Sequence, residues 1–165
     1  VNSKVRLLFD ECIGHPLVTQ LAGVIGIEPA DIELSHVIWK GFASKIDDEW
    51  VPQIADEGWI VISGDEGKAK SRGSKLPLLC QAYGVTYVTF SRAVAHYSAF
   101  GKYRVLLHHW SEIVALKEAP RGTGYQIRAN NTGHTSLVLR RESTFVEAEL
   151  KRQQSLLEGL PDSTQ

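Results

Sequence analysis

Methionine is absent from the 165 residues, and cysteine occurs only twice, as Cys12 and Cys80. Two isolated thiols without a C-x-x-C partner exclude a disulfide framework and a structural zinc centre, which need denser, spaced thiols. Both are expected to be buried as small apolar residues. With no methionine and an opening Val1, the start residue is expected to be missing or trimmed. Long apolar runs are lacking too. Val5 to Phe9, Trp59 to Ile62 and Val85 to Phe90 fall far short of the roughly 20 residues of a bilayer span, and no basic-then-apolar signal segment opens the chain. The expectation is a soluble, cytoplasmic protein with no membrane contact. Neither charge dominates: 18 Lys and Arg stand against 19 Asp and Glu, for a formal −1. The surface as a whole is therefore no glove for nucleic acid, and any polyanion must be held locally.

Hydrophobic residues make up 43% and charged residues 22%. This is ordinary globular usage and excludes disorder, collagen and coiled coil. The length suits one domain with a sizeable core. Lys4 to Phe9 reads as a strand that breaks at Asp10-Glu11, after which Ile13, Leu17, Val18, Leu21 and Val24 fall at helical spacing. A strand over Leu34 to Trp39, a helix from Asp48 to about Glu57 ending at Gly58, and a strand over Trp59 to Ser63 repeat the alternation. A polar stretch, Asp65 to Ser74, precedes a helix over Leu76 to Tyr83 and a fourth strand over Val85 to Phe90. Alternating helices and continuous apolar strands predict an α/β fold: a three-layer α/β/α sandwich around a central parallel sheet of four to five strands.

His96 to Lys117 is expected to hold one or two helices, with Gly101 as a splitting point. Tyr125 to Arg128 and Ser136 to Arg140 alternate around Asn130-Asn131-Thr132-Gly133 as a late hairpin, before a charged helix over Ser143 to Glu158. The organisation expected is a main domain over 1–120 and a hairpin-and-helix extension over 121–165 packed on it.

Ligands of an open parallel sheet bind beyond the carboxyl ends of its strands, and here those positions are acidic. Asp10 and Glu11 close the first strand, Asp65 and Glu66 follow the third by one glycine, and Asp47, Asp48 and Glu49 open the helix leading into it. Converging carboxylates repel one another unless a cation compensates them. Oxygen donors with no histidine or thiol at ligand spacing suit Mg²⁺ or Mn²⁺, which can acidify a water and stabilise the departing oxygen of a phosphodiester. Lys68, Lys70, Arg72 and Lys75 follow at once, where cations can neutralise the phosphates of an incoming strand. Plainer readings exist for each group taken singly. Asp10, Asp47 or Asp48 can cap a helix, Asp65-Glu66-Gly67 fits a turn, and the basic loop fits a solvated surface. Arg140-Arg141 fits a charged, protected sheet edge.

The stretch Val5-Arg6-Leu7-Leu8-Phe9-Asp10-Glu11 resembles the first strand and first metal-binding aspartate of the PIN-like nucleases, including the VapC-type toxins of toxin–antitoxin pairs. Ile46-Asp47-Asp48-Glu49-Trp50-Val51-Pro52-Gln53-Ile54-Ala55 followed by Trp59-Ile60-Val61-Ile62-Ser63-Gly64-Asp65 is similar to that family's acidic helix start and its strand ending in serine or threonine, one residue, and aspartate. The resemblance covers roughly Lys4 to Ser91. It implies Asp10, Asp48 and Asp65 as catalytic metal ligands, and Glu11, Asp47 and Glu66 as nearby acids. Ser63 would be a supporting hydroxyl beside the substrate, with Lys68, Lys70 and Arg72 on the RNA. The spacing leaves open which of Asp47, Asp48 and Glu49 faces the metal. The implied activity is a Mg²⁺- or Mn²⁺-dependent endoribonuclease, the toxin of a pair, with an RNA substrate, an antitoxin partner and a homodimer as possibilities. Two other readings are a receiver-like Mg²⁺-binding signalling module, with Thr89 or Ser91 after the fourth strand, and a catalytically inactive PIN-like binding domain.

Overall fold

The computed structural model describes residues 4–25, 31–64 and 75–145. Six strands form one sheet: β1 (Val5–Phe9), β2 (Ile32–His36), β3 (Trp59–Ser63), β4 (Tyr87–Phe90), β5 (Gly124–Ala129) and β6 (Thr135–Arg141). Their order is β2-β1-β3-β4-β5-β6; every neighbouring pair is parallel except β5 with β6. The helices are α1 (His15–Ile25), α2 (Asp47–Ile54), α3 (Leu76–Ala82), α4 (Arg92–Ala95), α5 (Ala99–His108) and α6 (Trp110–Ala115), with a 3₁₀ turn over Leu116–Glu118.

Successive residues of a strand face opposite sides of a sheet, so the apolar runs of β1, β3 and β4 feed two cores at once. Leu7, Phe9, Ile60, Ile62, Val88 and Phe90 pack with α1, α5 and α6. On the other face Leu8, Val61 and Tyr87 pack with Trp50, Val51 and Ile54 of α2 and with Leu76, Leu79 and Cys80 of α3. That is the expected α/β/α arrangement, with the apolar runs explained by burial on both faces.

Several local expectations need correction. The parallel part of the sheet has five strands, as expected, but the hairpin is not a separate extension: β5 pairs in parallel with β4 and carries β6 beside it as a sixth, antiparallel strand. The hairpin is thus continuous with the central sheet. β2 ends at His36, three residues before Trp39: after a last bond from the Val37 N–H to the Phe9 carbonyl the chain turns, with the Lys40 N–H donating back to the His36 carbonyl. Gly101 does not split the helix that contains it; the break falls at His109, which ends α5 and precedes α6. A short α4 follows β4, capped by Ser91. Cys80 is buried as expected, but Cys12 is exposed, in the turn after β1. The charged helix expected over Ser143 to Glu158 lies outside the described residues from 146 onward.

Candidate metal centre

The chain leaves β1 for β2 on one side and returns to β3 on the other, so strand order reverses between β1 and β3. Open α/β sheets place their ligand crevice at the carboxyl ends flanking such a reversal. Register pairs Phe9 with Ile62, and Asp10 follows with its N–H donating to the Ile62 carbonyl at 3.0 Å. The Asp10 carboxylate accepts from Ser63 Oγ at 3.0 Å and from the Glu11 N–H at 2.6 Å. Gly64 continues β3 close to this turn: a Cβ there would lie 3.1 Å from the Cys12 carbonyl oxygen and 3.3 Å from the Cys12 Cβ. A side chain there would require the Cys12 turn to give by a few tenths of an ångström.

The α2 helix brings the second set of acids. It starts one residue earlier than expected, so Asp47, Asp48 and Glu49 all occupy its first turn, where the helix dipole favours negative charge. Glu49 folds back to accept from the Ile46 N–H at 3.2 Å and closes the helix start. Asp47 accepts from Trp50 Nε1 at 3.1 Å, and Trp50, buried beside Phe42, anchors the turn in the core. Glu11 reaches across to accept from the Ser44 N–H at 3.1 Å. Asp10, Asp47 and Asp48 are half-buried, while Glu11 and Glu49 are exposed.

Burial pushes the Asp10 carboxyl above its usual range, and the Glu11 charge adds to this; hydrogen bonds from Ser63, the Glu11 N–H and Cys12 act in the opposite direction. For Asp47, burial and then the charge of Asp10 raise the pKa from the ordinary 3.8 to about 6; Asp48 and Glu11 push the same way against the Trp50 hydrogen bond. Cys80, in the core below, has its thiol pKa pushed well above the usual range by burial and then by Asp47 and Asp10. Among the described residues neither Asp10 nor Asp47 has a Lys, Arg or His within ion-pair distance. Carboxylates of this kind, with uncompensated charge and oxygen donors only, fit a hard divalent cation. Among the described residues no group of three or more His, Cys, Asp or Glu side chains is gathered in metal-holding geometry.

Of the residues expected from sequence, Asp10, Glu11, Ser63, Asp47 and Asp48 lie at this one edge or act on one another there. Asp65, Glu66, Lys68, Lys70 and Arg72 lie outside the described residues. The receiver-like reading draws on Thr89 and Ser91. Thr89 is buried with its hydroxyl on the Tyr125 carbonyl, and Ser91 caps α4. One contributor was missed from sequence. His36, buried at the end of β2, pairs through Nε2 with the Ile13 carbonyl at 2.8 Å and through Nδ1 with the Ile38 N–H at 3.1 Å. A tautomer protonated on Nε2 satisfies both bonds and clamps the turn that carries Asp10 and Glu11. A polar residue closing a strand was the only signal for it.

Residues 5–73, from β1 past β3, match a family model described as a PIN like domain. Domains of this kind are generally nucleases. No curated protein and no solved structure matches the chain.

Proposed function

We propose that the chain is a divalent-metal-dependent endoribonuclease that hydrolyses RNA at the carboxyl edge of β1 and β3. The observation that carries this reading is the gathering of Asp10 at the end of β1, Ser63 at the end of β3 and Asp47 at the start of α2 at one edge of the sheet, its reversal point, where burial and the nearby Asp10 also push Asp47 up to about 6. Groups with strongly perturbed pKa values in a crevice mark functional sites. Asp10 and Asp47 would hold the cation with Asp48 and Asp65, and Glu11 and Glu66 would stand nearby; Mg²⁺ or Mn²⁺ suits their oxygen donors.

The cation, when bound, would supply Lewis-acid stabilisation of the charge that builds on the phosphate oxygens. The protein's own part is positional. Ser63 and the Glu11 N–H fix both oxygens of Asp10, Trp50 fixes Asp47, and His36 fixes the turn between β1 and α1. Asp47 holds a proton below about pH 6 and must release it before it can serve as an anionic ligand. Lys68, Lys70 and Arg72 would meet the phosphates of the strand. The resemblance to VapC-type toxins supports a setting in which a partner antitoxin restrains the nuclease.

The test is incubation of the purified chain with single-stranded and structured RNAs in Mg²⁺, in Mn²⁺ and in chelator. Internal cleavage in either metal that chelator abolishes is the expected result. Cleavage that persists in chelator would refute metal dependence, and intact RNA throughout would refute the nuclease reading. Growth arrest on expression of the chain, relieved by Asp10→Asn, is expected for a toxin; unimpeded growth would count against that role.

A further inference from the structure

Because β5 runs parallel to β4, its end and the β5–β6 turn lie at the same sheet edge as Asp10. That turn and α5 enclose a cavity of about 320 Å³ lined by Tyr97, Gly101, Arg104, His108, Gly133 and His134, among others. No lining residue is acidic. Gly101, Arg104 and His108 share one face of α5 by their i, i+3 and i+7 spacing. Among the described residues Arg104 has no carboxylate within ion-pair distance. It is exposed, so its planar guanidinium is available to an anion.

The opposite wall is a fixed turn. Asn130 Oδ1 accepts from the Thr132 N–H at 3.0 Å, the Thr132 hydroxyl at 2.8 Å and the His134 N–H at 2.9 Å, and Gly133 adopts φ +80°. His134 Nδ1 pairs with the Thr132 hydroxyl at 2.9 Å, which leaves Nε2 without a partner among the described residues. Behind the turn the buried His109 bonds Thr135 Oγ1 at 2.9 Å and ties the cavity wall to the junction of α5 and α6. The larger cavity at the opposite edge differs in kind. Its Arg6 is tied to Glu33 and the Glu57 carbonyl, and its Arg121 to the Ala55 and Gly84 carbonyls.

The edge is thus acidic over β1 and β3 and basic over β4 and β5, where the exposed Arg92 lies between the two regions. Three strand steps of roughly 4.8 Å put the end of β5 about 14 Å from that of β1, a span for a few nucleotides. We propose that the cavity between α5 and the β5–β6 turn seats a phosphate of a single-stranded RNA. Arg104 and His108 would contact the phosphate, and the Tyr97 ring would offer a base a surface on which to stack. The inference rests on the nuclease reading for its choice of ligand and extends it to a second contact remote from the cleaved bond.

Fluorescence anisotropy of a labelled ten-nucleotide single-stranded RNA, with the full chain in chelator, separates binding from cleavage. Arg104→Gln is expected to weaken binding about fivefold to tenfold and to reduce the slope of log affinity against log salt by about 0.7, the value for one phosphate of a single strand. Arg104→Lys should keep the slope, and both variants should keep the wild-type Tm because Arg104 is exposed. Equal affinity and slope for wild type and Arg104→Gln would overturn the proposal, as would no binding by wild type. Displacement by a mononucleotide or inorganic phosphate at the concentration at which the oligonucleotide binds would assign the cavity to a free phosphate ligand and also overturn it. Binding that depends on Arg104 without cleavage in any metal would retain this site and remove the nuclease reading. Cleavage with binding indifferent to Arg104 would do the reverse.

Discussion

In the proposed reading two aspartates, Asp10 and Asp47, carry most of the chemistry, and their surroundings give each a testable character. Asp47 should titrate in the folded protein with a midpoint of about 6, observable as the carboxyl carbon shift by NMR. Asp10→Asn should move that midpoint down by removing the second-largest cause of the elevation; a wild-type midpoint near 3.8 would contradict the description. Ser63→Ala removes the hydroxyl that donates to Asp10. A net hydrogen bond contributes about 1 kcal/mol to folding stability, so its loss should lower Tm by about 2–4 °C, and the less firmly held Asp10 should slow cleavage, as measured by initial rates at fixed Mg²⁺. Asp10 and Ser63 were legible in the sequence because each closes an apolar run at the edge where such sheets bind ligands. The Trp50 bond to Asp47 and the His36 bond to Ile13 were not. Their partners become neighbours only once side-chain direction and sheet order are set.

At the scale of elements, the close approach of β3 to the turn after β1 is the most sensitive join. Gly64→Val would press its side chain against Cys12 and separate the strand ends that hold Ser63 against Asp10. Overpacking of this kind typically costs about 1–3 kcal/mol. The expected result is a lowered Tm and a loss of cleavage of about tenfold or more, measured on the same preparation. An unchanged rate would show that the approach is incidental. Strands β1, β3 and β4 were readable as continuous apolar runs because both faces are buried, and β3 was bounded correctly at both ends. The start of α2 and the end of β2 were misplaced because local turn bonds set them, as at Lys40 with His36 and Glu49 with Ile46. Periodicity carries no record of those. The amphipathic alternation of β5 and β6 gave the hairpin, but pairing of β5 with β4 is a long-range choice that local pattern leaves open.

At the scale of the whole molecule, the acidic edge links stability to pH and to cations. Asp47 takes up a proton on folding between the ordinary 3.8 and about 6, and Asp10 is shifted in the same direction. These groups therefore favour the folded state most at the acid end of that window, lose that advantage as pH rises through about 6, and level off above it. Without metal, Asp47→Asn should gain Tm over wild type between pH 4.5 and 7. Mg²⁺ should raise the wild-type Tm at pH 7 and the Asp47→Asn Tm less, since only the folded site binds the ion. A wild-type Tm indifferent to Mg²⁺ would be contrary evidence.

In the proposed reading the basic region over β5 would give the same edge a second function, so one edge of the sheet would both cut a strand and hold it. The most direct measurement is the RNA cleavage rate of Asp10→Asn against wild type at saturating Mg²⁺, with both proteins shown to melt alike. Even outer partners of metal ligands typically cost about 10–100-fold when removed, so replacing a direct ligand should slow cleavage by about 100-fold or more. Cleavage by Asp10→Asn at the wild-type rate would contradict the assignment of the β1–β3 edge as the active site.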